Sequence, residues 1–323
     1  MIVVDKVSKY YGAQRAVADL SFEIRAGECV GFLGLNGAGK STTLRLLSCL
    51  VLPTSGRIRV GGIDVVENPH AIRKLIGYLP DTPPLYAEMT VREYLSFAGS
   101  LRGLDGAELA RRLGRVVEVC NLTEVADDAI STLSHGYKQR VGIAQAIIHG
   151  PSLLILDEPI QGLDPVQIVE MRNMIASLRG EHTILLSTHI LTEIERTCDR
   201  ILMMHKGRIA AEGTEEELGA RLRHGRRLEL EVAGDEALLR QALSQVTEAS
   251  ELGVSRTAHG TLKATLRVDD AARDRVSRAV VSAGLGLLGM QATSTGLESI
   301  FLELSGANAS ESIPPATVSG GAS

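Results

Sequence analysis

Residues 34–42 read Gly34-Leu35-Asn36-Gly37-Ala38-Gly39-Lys40-Ser41-Thr42, and this stretch decides the fold. It fits the pattern G-x-x-x-x-G-K-[S/T] of a P-loop, in which glycines let backbone N–H groups approach a polyphosphate closely. The apolar segment before it, residues 28–33, predicts a buried strand, and residues 41–47 predict a helix. The start of that helix adds free N–H donors and the positive end of the helix dipole. The pattern therefore predicts a nucleotide site in which Lys40 reaches the β- and γ-phosphates and the Ser41 hydroxyl binds Mg²⁺.

A second signal is the run Leu153-Leu154-Ile155-Leu156-Asp157-Glu158-Pro159. Its apolar residues predict a buried parallel strand, and the two carboxylates stand at the carboxyl end, where α/β sheets bind their ligands. Asp157 is placed to hold Mg²⁺ directly or through water. Glu158 points elsewhere and can orient or deprotonate an attacking water. An isolated Asp-Glu pair is commonly a helix cap, but the P-loop upstream favours the functional interpretation.

Two further residues have both a functional and an ordinary interpretation. His189 follows the apolar residues 183–188, and a histidine at such a strand end can reach a γ-phosphate. Taken alone, it would more commonly be a surface or capping histidine. Tyr11 lies in a predicted turn, residues 10–12, and can stack on a nucleotide base, although its spacing alone favours ordinary packing.

Composition limits the remaining classes of function. The chain has 323 residues, enough for one large or two ordinary domains, and its 44% hydrophobic and 23% charged residues are typical of a soluble globular protein. The net charge of −5 disfavours a nucleic-acid binder. No apolar run approaches the roughly 18–20 residues that span a bilayer. The four cysteines are scattered, which predicts reduced thiols rather than a disulfide or a zinc site.

A helical block interrupts the strand-rich sequence, at about residues 85–145. Apolar residues recur there at helical spacing, and the predicted apolar face includes Leu101. Thr90 and Glu93 form the pattern of a capping box at its start. Ser134 is placed to cap the last helix of the block.

The two ends of the chain predict different kinds of structure. Short alternating runs within residues 2–30 predict a small antiparallel layer that leads into the P-loop strand. A basic linker, residues 220–227, precedes a β-α-β-β-α-β order at residues 228–305, which predicts a split-βαβ sandwich with a last helix at residues 296–304. Because it carries no catalytic or metal pattern, we expect an interaction or regulatory module. Residues 306–323 have the composition of a disordered tail.

Together these pieces, over residues 2–218, resemble the ATP-binding-cassette (ABC) ATPases. The aromatic residue, the P-loop and the helical insertion are followed by an L-S-x-G signature at residues 133–136, and then by I-L-D-E-P, G-L-D and S-T-H. Each later motif is weak alone, but their order is highly specific. The resemblance implies an α/β fold: a P-loop NTPase (RecA-like) core with an antiparallel β layer and a helical insertion, at residues 1–219, and then a small α+β domain.

The resemblance also implies ATP and Mg²⁺ as cofactors and gives each motif a role. Residues 34–42 would bind the phosphates, and Tyr11 would stack on the base. Glu158 would be the catalytic base, and His189 would contact the γ-phosphate. The residues expected to hold Mg²⁺ are Ser41, Asp81 and Asp157. The residues expected to contact the nucleotide of the opposite subunit, in a head-to-tail dimer, are Ser134, His135, Gly136 and Asp164.

Four positions depart from the usual pattern of the family. His135 stands within the signature where glycine is usual, and Asp81 stands where glutamine is usual. An ionised carboxylate at position 81 adds negative charge and cannot donate a hydrogen bond. Ile160 replaces a small hydroxyl residue, and Leu35 replaces a frequent proline. None of these changes removes a residue that the chemistry requires.

The sequence around Tyr78 and the signature resembles one branch of the family, in which a soluble ATPase pairs with a separate exporter-type membrane permease. The implied partners are a multi-span permease and a second copy of the chain, with no nucleic acid. The permease would dock at the loop of Pro83 and Pro84 and at the helical block. The implied location is cytoplasmic, peripheral on the cytoplasmic face of the cell membrane. Export is expected rather than import, and the cargo stays open.

Two other functions remain possible at this point. One is an ATPase of the same family that acts on ribosomes or DNA. Such proteins usually carry two cassettes or a long coiled coil, whereas this chain has one P-loop, no long heptad run and an acidic net charge. The other is a module in which the nucleotide only switches an interaction, and the presence of Glu158 and His189 disfavours it.

Overall fold

The chain divides into two units, unit 1 (Met1–Leu218) and unit 2 (Gly219–Ser323), and each is described here by itself. The computed structural model describes residues 1–221, 226–246, 249–257, 260–268 and 272–293. The strands that begin in unit 1 are β1 Ile2–Tyr11, β2 Gln14–Ile24, β3 Cys29–Leu33, β4 Ser55–Val60, β5 Ile63–Asp64, β6 Ile76–Leu79, β7 Leu153–Asp157, β8 Thr183–Thr188, β9 Arg200–His205 and β10 Arg208–Gly213. The helices that begin in unit 1 are α1 Lys40–Leu47, α2 Pro69–Leu75, α3 Val91–Leu101, α4 Gly106–Val119, α5 His135–Ile147, α6 Pro165–Ser177, α7 Leu191–Thr197 and α8 Glu215–Arg221.

The central sheet of unit 1 has six strands in the order β10-β9-β3-β8-β7-β6. Its inner strands pair in parallel, and only β10 runs antiparallel, to β9. Every residue of β3, β7 and β8 is buried, as expected for parallel strands that are covered on both faces. Within the sheet Leu33 pairs with Thr188, and Asp157 pairs with Ser187. The carboxyl ends of three strands therefore meet at one edge of the sheet.

A second, antiparallel sheet has the order β2-β1-β4-β5, which confirms the predicted antiparallel layer. It shares one hydrophobic core with α1 and the central sheet. In that core Phe22 of β2 meets Phe32 of β3 edge to face, with 5.3 Å between the ring centroids. The predicted turn at residues 10–12 is partly wrong, because β1 continues through Tyr11.

The helical block consists of α3, α4 and two short 3₁₀ turns, and it leads into α5. Thr90 caps α3 in a complete capping box with Glu93, and Ser134 caps α5, as the sequence predicts. The buried faces of these helices share the second core of the unit. Leu101 is an exception to the predicted apolar face, because it ends α3 and is 71% exposed.

Unit 2 is a sheet of four antiparallel strands in the order β12-β13-β11-β14. Its elements are β11 Arg226–Ala233, α9 Glu236–Ser244, β12 Ala249–Arg256, β13 Leu262–Val268, α10 Arg273–Ser282 and β14 Gly286–Thr293. This order of elements and strands confirms the predicted split-βαβ sandwich. The predicted last helix, residues 296–304, and the predicted tail lie outside the described residues. So do residues 222–225 of the predicted linker, whose first residues continue α8.

Candidate nucleotide site

The loop between β3 and α1 is closely packed against its neighbours. Gly39 has φ +104°, and a Cβ there would lie 2.8 Å from the carbonyl oxygen of Ala16. A Cβ at Gly34 would lie 2.8 Å from the carbonyl oxygen of Met204. Both positions therefore require glycine. No side chain caps α1, so its first N–H groups are free to bind an anion at the helix N-terminus.

Lys40, the first residue of α1, is only 6% exposed. Its ammonium donates a hydrogen bond to the carbonyl oxygen of Gly34 over 2.6 Å. The same nitrogen lies 3.4 Å from Oε1 of Glu158. A buried cation needs such compensation, and here a carbonyl and a carboxylate supply it. The structure thus brings the lysine of the P-loop and the predicted catalytic base into one cluster.

Asp157 ends β7 and is almost completely buried. Its Oδ1 accepts hydrogen bonds from the hydroxyls of Ser187, over 2.6 Å, and Ser41, over 3.4 Å. Burial raises the pKa of Asp157 above its usual value, the two serine hydrogen bonds oppose that change, and the charges of Glu158 and Asp81 add to it. A carboxylate next to a hydroxyl is a set of hard oxygen donors, which fits Mg²⁺.

Glu158 adopts a left-handed backbone conformation, with φ +49°. Its N–H donates to both the carbonyl and the hydroxyl oxygen of Ser187, each over 3.1 Å. Its Oε2 lies 3.0 Å from Nδ1 of His189. Glutamate seldom adopts this conformation, and the surrounding hydrogen bonds hold the strained residue between Lys40 and His189.

Ser187 is a site residue that sequence reasoning missed. It is completely buried, it donates to the carboxylate of Asp157, and it accepts from the N–H of Glu158. A hydroxyl at the end of an apolar strand, two residues before His189, was the available signal. The pairing of β7 with β8, which brings this hydroxyl to Asp157, depends on contacts between distant parts of the chain.

The four residues predicted to act across a dimer lie at the starts of two helices. Ser134 caps α5, and Asp164 caps α6 by accepting from the N–H groups of Val166 and Gln167, each over 3.0 Å. Nε2 of His135 lies 3.0 Å from the carbonyl oxygen of Gln161. A Cβ at Gly136 would lie 2.7 Å from the side-chain oxygen of Gln167. These contacts join the signature to the turn before α6.

The remaining predicted residues stand apart from this cluster. Tyr11 is 44% exposed at the end of β1, and Nζ of Lys9 lies 5.1 Å from its ring centroid. Asp81 is exposed, and its negative charge contributes to the raised pKa of Asp157. Leu35 is 48% exposed, whereas Ile160 is buried in the core of the helical block.

Comparisons with known proteins identify the family to which the chain is similar. The family described as "ABC transporter" matches residues 17–161. The uncharacterized ABC transporter ATP-binding protein YxlF of Bacillus subtilis (strain 168) is 41% identical over 218 residues, which cover 68% of this chain and 72% of YxlF. The linearmycin resistance ATP-binding protein LnrL of the same organism is 33% identical over 317 residues, which cover 95% of this chain and 98% of LnrL.

Solved structures give the same result. The ATP-binding subunit of an ABC transporter superimposes with a TM-score of 0.63 at 37% identity, over 68% of this chain and 92% of that one. The ATP-binding cassette MJ0796, in a dimeric post-hydrolysis state bound to ADP and Pi, gives 0.61 at 25% identity, over 66% of this chain and 98% of that one. The P-loop NTPase fold and the resemblance that the sequence predicted are therefore confirmed, and the chain belongs to the ATP-binding proteins of the ABC transporter family.

Proposed function

We propose that this ATPase powers an exporter whose membrane-spanning part is a separate permease, and that it works as a head-to-tail dimer. The observation that carries the catalytic part of the proposal is the convergence of Lys40, Asp157, Glu158 and His189 at the carboxyl edge of the central sheet. A buried cluster of opposite charges at the end of parallel strands is a poor choice for stability alone. It is a suitable arrangement for a ligand that carries charge of its own.

The P-loop binds the phosphates through backbone N–H groups at the start of α1 and through the ammonium of Lys40. Ser41 and Asp157 would hold Mg²⁺, and the nearby charge of Asp81 would add to the attraction. Bound there, the ion would supply charge neutralisation for the phosphates. Tyr11 presents its exposed ring for stacking on the base.

Hydrolysis requires a water that attacks in line with the leaving oxygen of the γ-phosphate. Glu158 orients this water and accepts its proton, because its carboxylate lies beside both the lysine of the P-loop and His189. His189, whose Nδ1 lies 3.0 Å from that carboxylate, would contact the γ-phosphate. Positioning and charge compensation supply most of the catalysis in phosphoryl transfer, and a rigid, buried glutamate suits both.

A second copy of the chain completes the site. Ser134, His135, Gly136 and Asp164 present the starts of α5 and α6 to the nucleotide held by the opposite P-loop. Two features support this proposal. The four residues are joined by contacts within one region, and helix N-termini attract phosphate. MJ0796, a similar cassette, is described as a dimer.

The names of similar proteins support an export role. Among them are the bacitracin transport ATP-binding protein BcrA of Bacillus licheniformis, 40% identical, and the Nod factor export ATP-binding protein I of Rhizobium meliloti, 41% identical. No described helix has the length and apolarity that crossing a bilayer requires. We place the chain on the cytoplasmic face of the membrane, bound to its permease through the loop of residues 81–85 and the helical block. There the exposed ring of Tyr86 packs edge to face against Tyr94 and Phe97, a surface suited to an apolar partner helix.

Replacing Glu158 by glutamine tests the proposal. The variant keeps the shape of the side chain but cannot accept the proton, so we expect ATP to bind normally and turnover to fall by at least about 100-fold. ATP should then trap a dimer, which gel filtration would detect. Glu181→Gln, which changes an exposed glutamate paired with Arg115, is the matched control and should leave both properties unchanged. Normal turnover by Glu158→Gln, or a monomer at saturating ATP, would contradict the proposal.

A further inference from the structure

Two cysteine side chains meet beside the strand that leads into the P-loop. Cys29 begins β3, and Cys198 directly follows the last residue of α7. Their sulfur atoms lie 3.9 Å apart, although the residues are 169 positions apart in the chain. Cys29 is buried, and Cys198 is partly exposed. The other two cysteines, Cys49 and Cys120, are buried in two different hydrophobic cores.

The backbone holds this cysteine pair together. The N–H of Cys29 donates to the carboxylate of Asp199 over 2.9 Å, and the N–H of Asp199 donates to the carbonyl oxygen of Cys29 over 2.8 Å. The residue next to Cys198 is therefore fixed to Cys29 by two hydrogen bonds. A disulfide has its sulfur atoms about 2.05 Å apart, so the sulfurs need to approach by about 2 Å. Side-chain rotation and a small backbone shift supply movements of that size.

The surroundings of the pair favour a thiolate at Cys29 and disfavour one at Cys198, because the contact with Cys29 and burial raise the pKa of Cys198. The thiol of Cys198 lowers the pKa of Cys29, burial opposes this, and the nearby guanidinium of Arg179 lowers it further, so that the net change is downward. Arg179 is itself held by Asp199, with 3.2 Å between its Nη1 and the carboxylate oxygen Oδ1. The thiolate is the reactive form of cysteine in oxidation and in disulfide formation.

We propose that Cys29 and Cys198 form a reversible oxidation site, at which hydrogen peroxide converts the two thiols into a disulfide. Cys29, whose surroundings favour the thiolate, reacts first. Its sulfur attacks one oxygen of the peroxide, the O–O bond breaks, and the hydroxide that leaves takes the proton that Cys29 lost on ionising, so that a sulfenic acid at Cys29 and one water form. The sulfur of the partly exposed Cys198 then attacks the sulfur of Cys29, the S–S bond forms, and the S–O bond breaks. The hydroxide that leaves takes the remaining proton to become a second water. The two sulfurs together lose two electrons, and the peroxide gains them.

The disulfide would act on the nucleotide site through α7. This helix begins two residues after His189 and ends beside Cys198. A Cβ at Gly31 would lie only 2.9 Å from the side chain of Ile194 and 3.0 Å from the sulfur of Cys198, so α7 already packs tightly against β3. Drawing the two sulfurs together therefore shifts α7, and the shift reaches His189. This consequence rests on the role proposed for His189, whereas formation of the disulfide does not.

Mild treatment of the reduced, full-length protein with hydrogen peroxide tests the inference. We expect mass spectrometry of the digest to find a peptide that links Cys29 to Cys198 and lacks two hydrogen atoms. ATP turnover should fall by about tenfold, because a displacement near 1 Å at a catalytic residue has effects of at least that size. Dithiothreitol should restore both the mass and the turnover.

Matched variants separate this cysteine pair from general oxidation damage. Cys198→Ser should keep the basal turnover and lose the peroxide sensitivity, whereas Cys120→Ser should keep both. Accumulation of sulfenic or sulfinic acid without the linked peptide would overturn the oxidation site. A linked peptide with unchanged turnover would overturn the effect on His189. The linked peptide is measured without ATP. This test of the disulfide therefore does not depend on the proposed transport function.

Discussion

The two units of the chain differ in the kinds of side chain that they bury. Unit 1 buries the charged side chains of Lys40, Asp157 and Glu158 together at one edge of its central sheet. Among the residues of unit 2 whose side chains the structure describes, every buried one is apolar. The ion pair of Lys263 with Glu229 in unit 2 is partly exposed instead, with 2.8 Å between its charged atoms.

This difference shows where charged side chains are buried at a cost in stability, namely at the site of the chemistry. Removing charges from water is unfavourable even when they are paired, and well-packed apolar residues of equal volume would generally be more stabilising. Unit 1 accepts that penalty where the ends of β3, β7 and β8 meet, and also at Glu193 of α7, which is buried against Arg172. Among the described side chains of unit 2, the interior is apolar and carries no buried charge. The same type of substitution should therefore have different consequences in the two units.

The largest difference is expected for lysine. Lys40→Ala removes the buried ammonium next to Glu158, and we expect kcat/KM for ATP hydrolysis to fall by about 1000-fold, as for other groups that stabilise a charged transition state. Lys263→Ala removes an exposed ammonium of unit 2 and should leave hydrolysis unchanged. Phosphate release at several ATP concentrations measures both variants. Substantial activity in Lys40→Ala would show that hydrolysis does not require the buried ammonium of unit 1, which would contradict the distinction drawn between the two units.

A core substitution in unit 2 tests the reverse expectation, namely that a change there lowers stability and leaves ATP turnover unchanged. Leu230 is 1% exposed at the centre of β11, and Leu230→Ala should lower the free energy of unfolding of unit 2 by about 2–5 kcal/mol. Leu238→Ala, at a side chain that is 47% exposed, should change it by less than about 0.5 kcal/mol. Urea denaturation gives both values. At low urea, ATP turnover should stay near that of the unsubstituted chain, and a large loss would show that the nucleotide site depends on unit 2.

A smaller effect is expected at Ser187, to which we assign the positioning of Asp157 and Glu158. Ser187→Ala removes the hydroxyl that donates to Asp157 and accepts from the N–H of Glu158, so kcat should fall by about 10- to 100-fold with little change in KM. The buried acceptor left unpaired should also cost about 1–3 kcal/mol of stability. Ser277→Ala, at a partly exposed serine of α10, should change neither quantity. An equal rise in KM would indicate a role in binding rather than in positioning.

The smallest effect concerns acid stability and a partly buried ion pair of unit 1. Burial raises the pKa of Glu28, but hydrogen bonds from Arg200 and from the N–H of Arg25 outweigh it and lower the pKa below 4.5. A carboxyl whose pKa is lower in the folded state stabilises the fold fully above its unfolded pKa, and loses that contribution as the pH falls through its folded pKa.

The free energy of unfolding, measured from pH 7 down to pH 3, tests this contribution. Glu28→Gln should be less stable than the unsubstituted chain by about 1 kcal/mol at pH 7. The difference should shrink below about pH 4.5, where the unsubstituted chain loses the ion pair. Glu118→Gln, at an exposed glutamate of α4, should show no such difference at any pH. A gap for Glu28→Gln that stays constant into acid would contradict the assignment.

The sequence predicted those features that local patterns determine. The P-loop predicted β3 and α1, the apolar run before Asp157 predicted β7, and the capping residues Thr90 and Ser134 predicted two helix starts. Each of these signals depends on chemistry within a few residues, where turn geometry and hydrogen bonding act directly.

Features set by contacts between distant segments were not predictable. The central position of β3 between β9 and β8 follows from how three separated segments share one core. The same applies to Ser187, whose contact with Asp157 follows from the pairing of β8 with β7. Leu101 shows that helical spacing can also predict too much burial, because no neighbouring element among the described residues covers its side chain. Local patterns thus placed the functional groups, and the sheet decided which of them meet.

Nucleotide binding also depends on the register in which the strands of the central sheet pair. Asp157 meets Ser187, and Leu33 meets Thr188, only when the three strands pair as they do here. A slip of one residue would move each side chain to the opposite face of the sheet and would bring Leu156 to the place of Asp157. ATP binds the native register and not the slipped one, so the ligand stabilises only correctly paired molecules. The nucleotide therefore also reports whether the sheet has been assembled correctly.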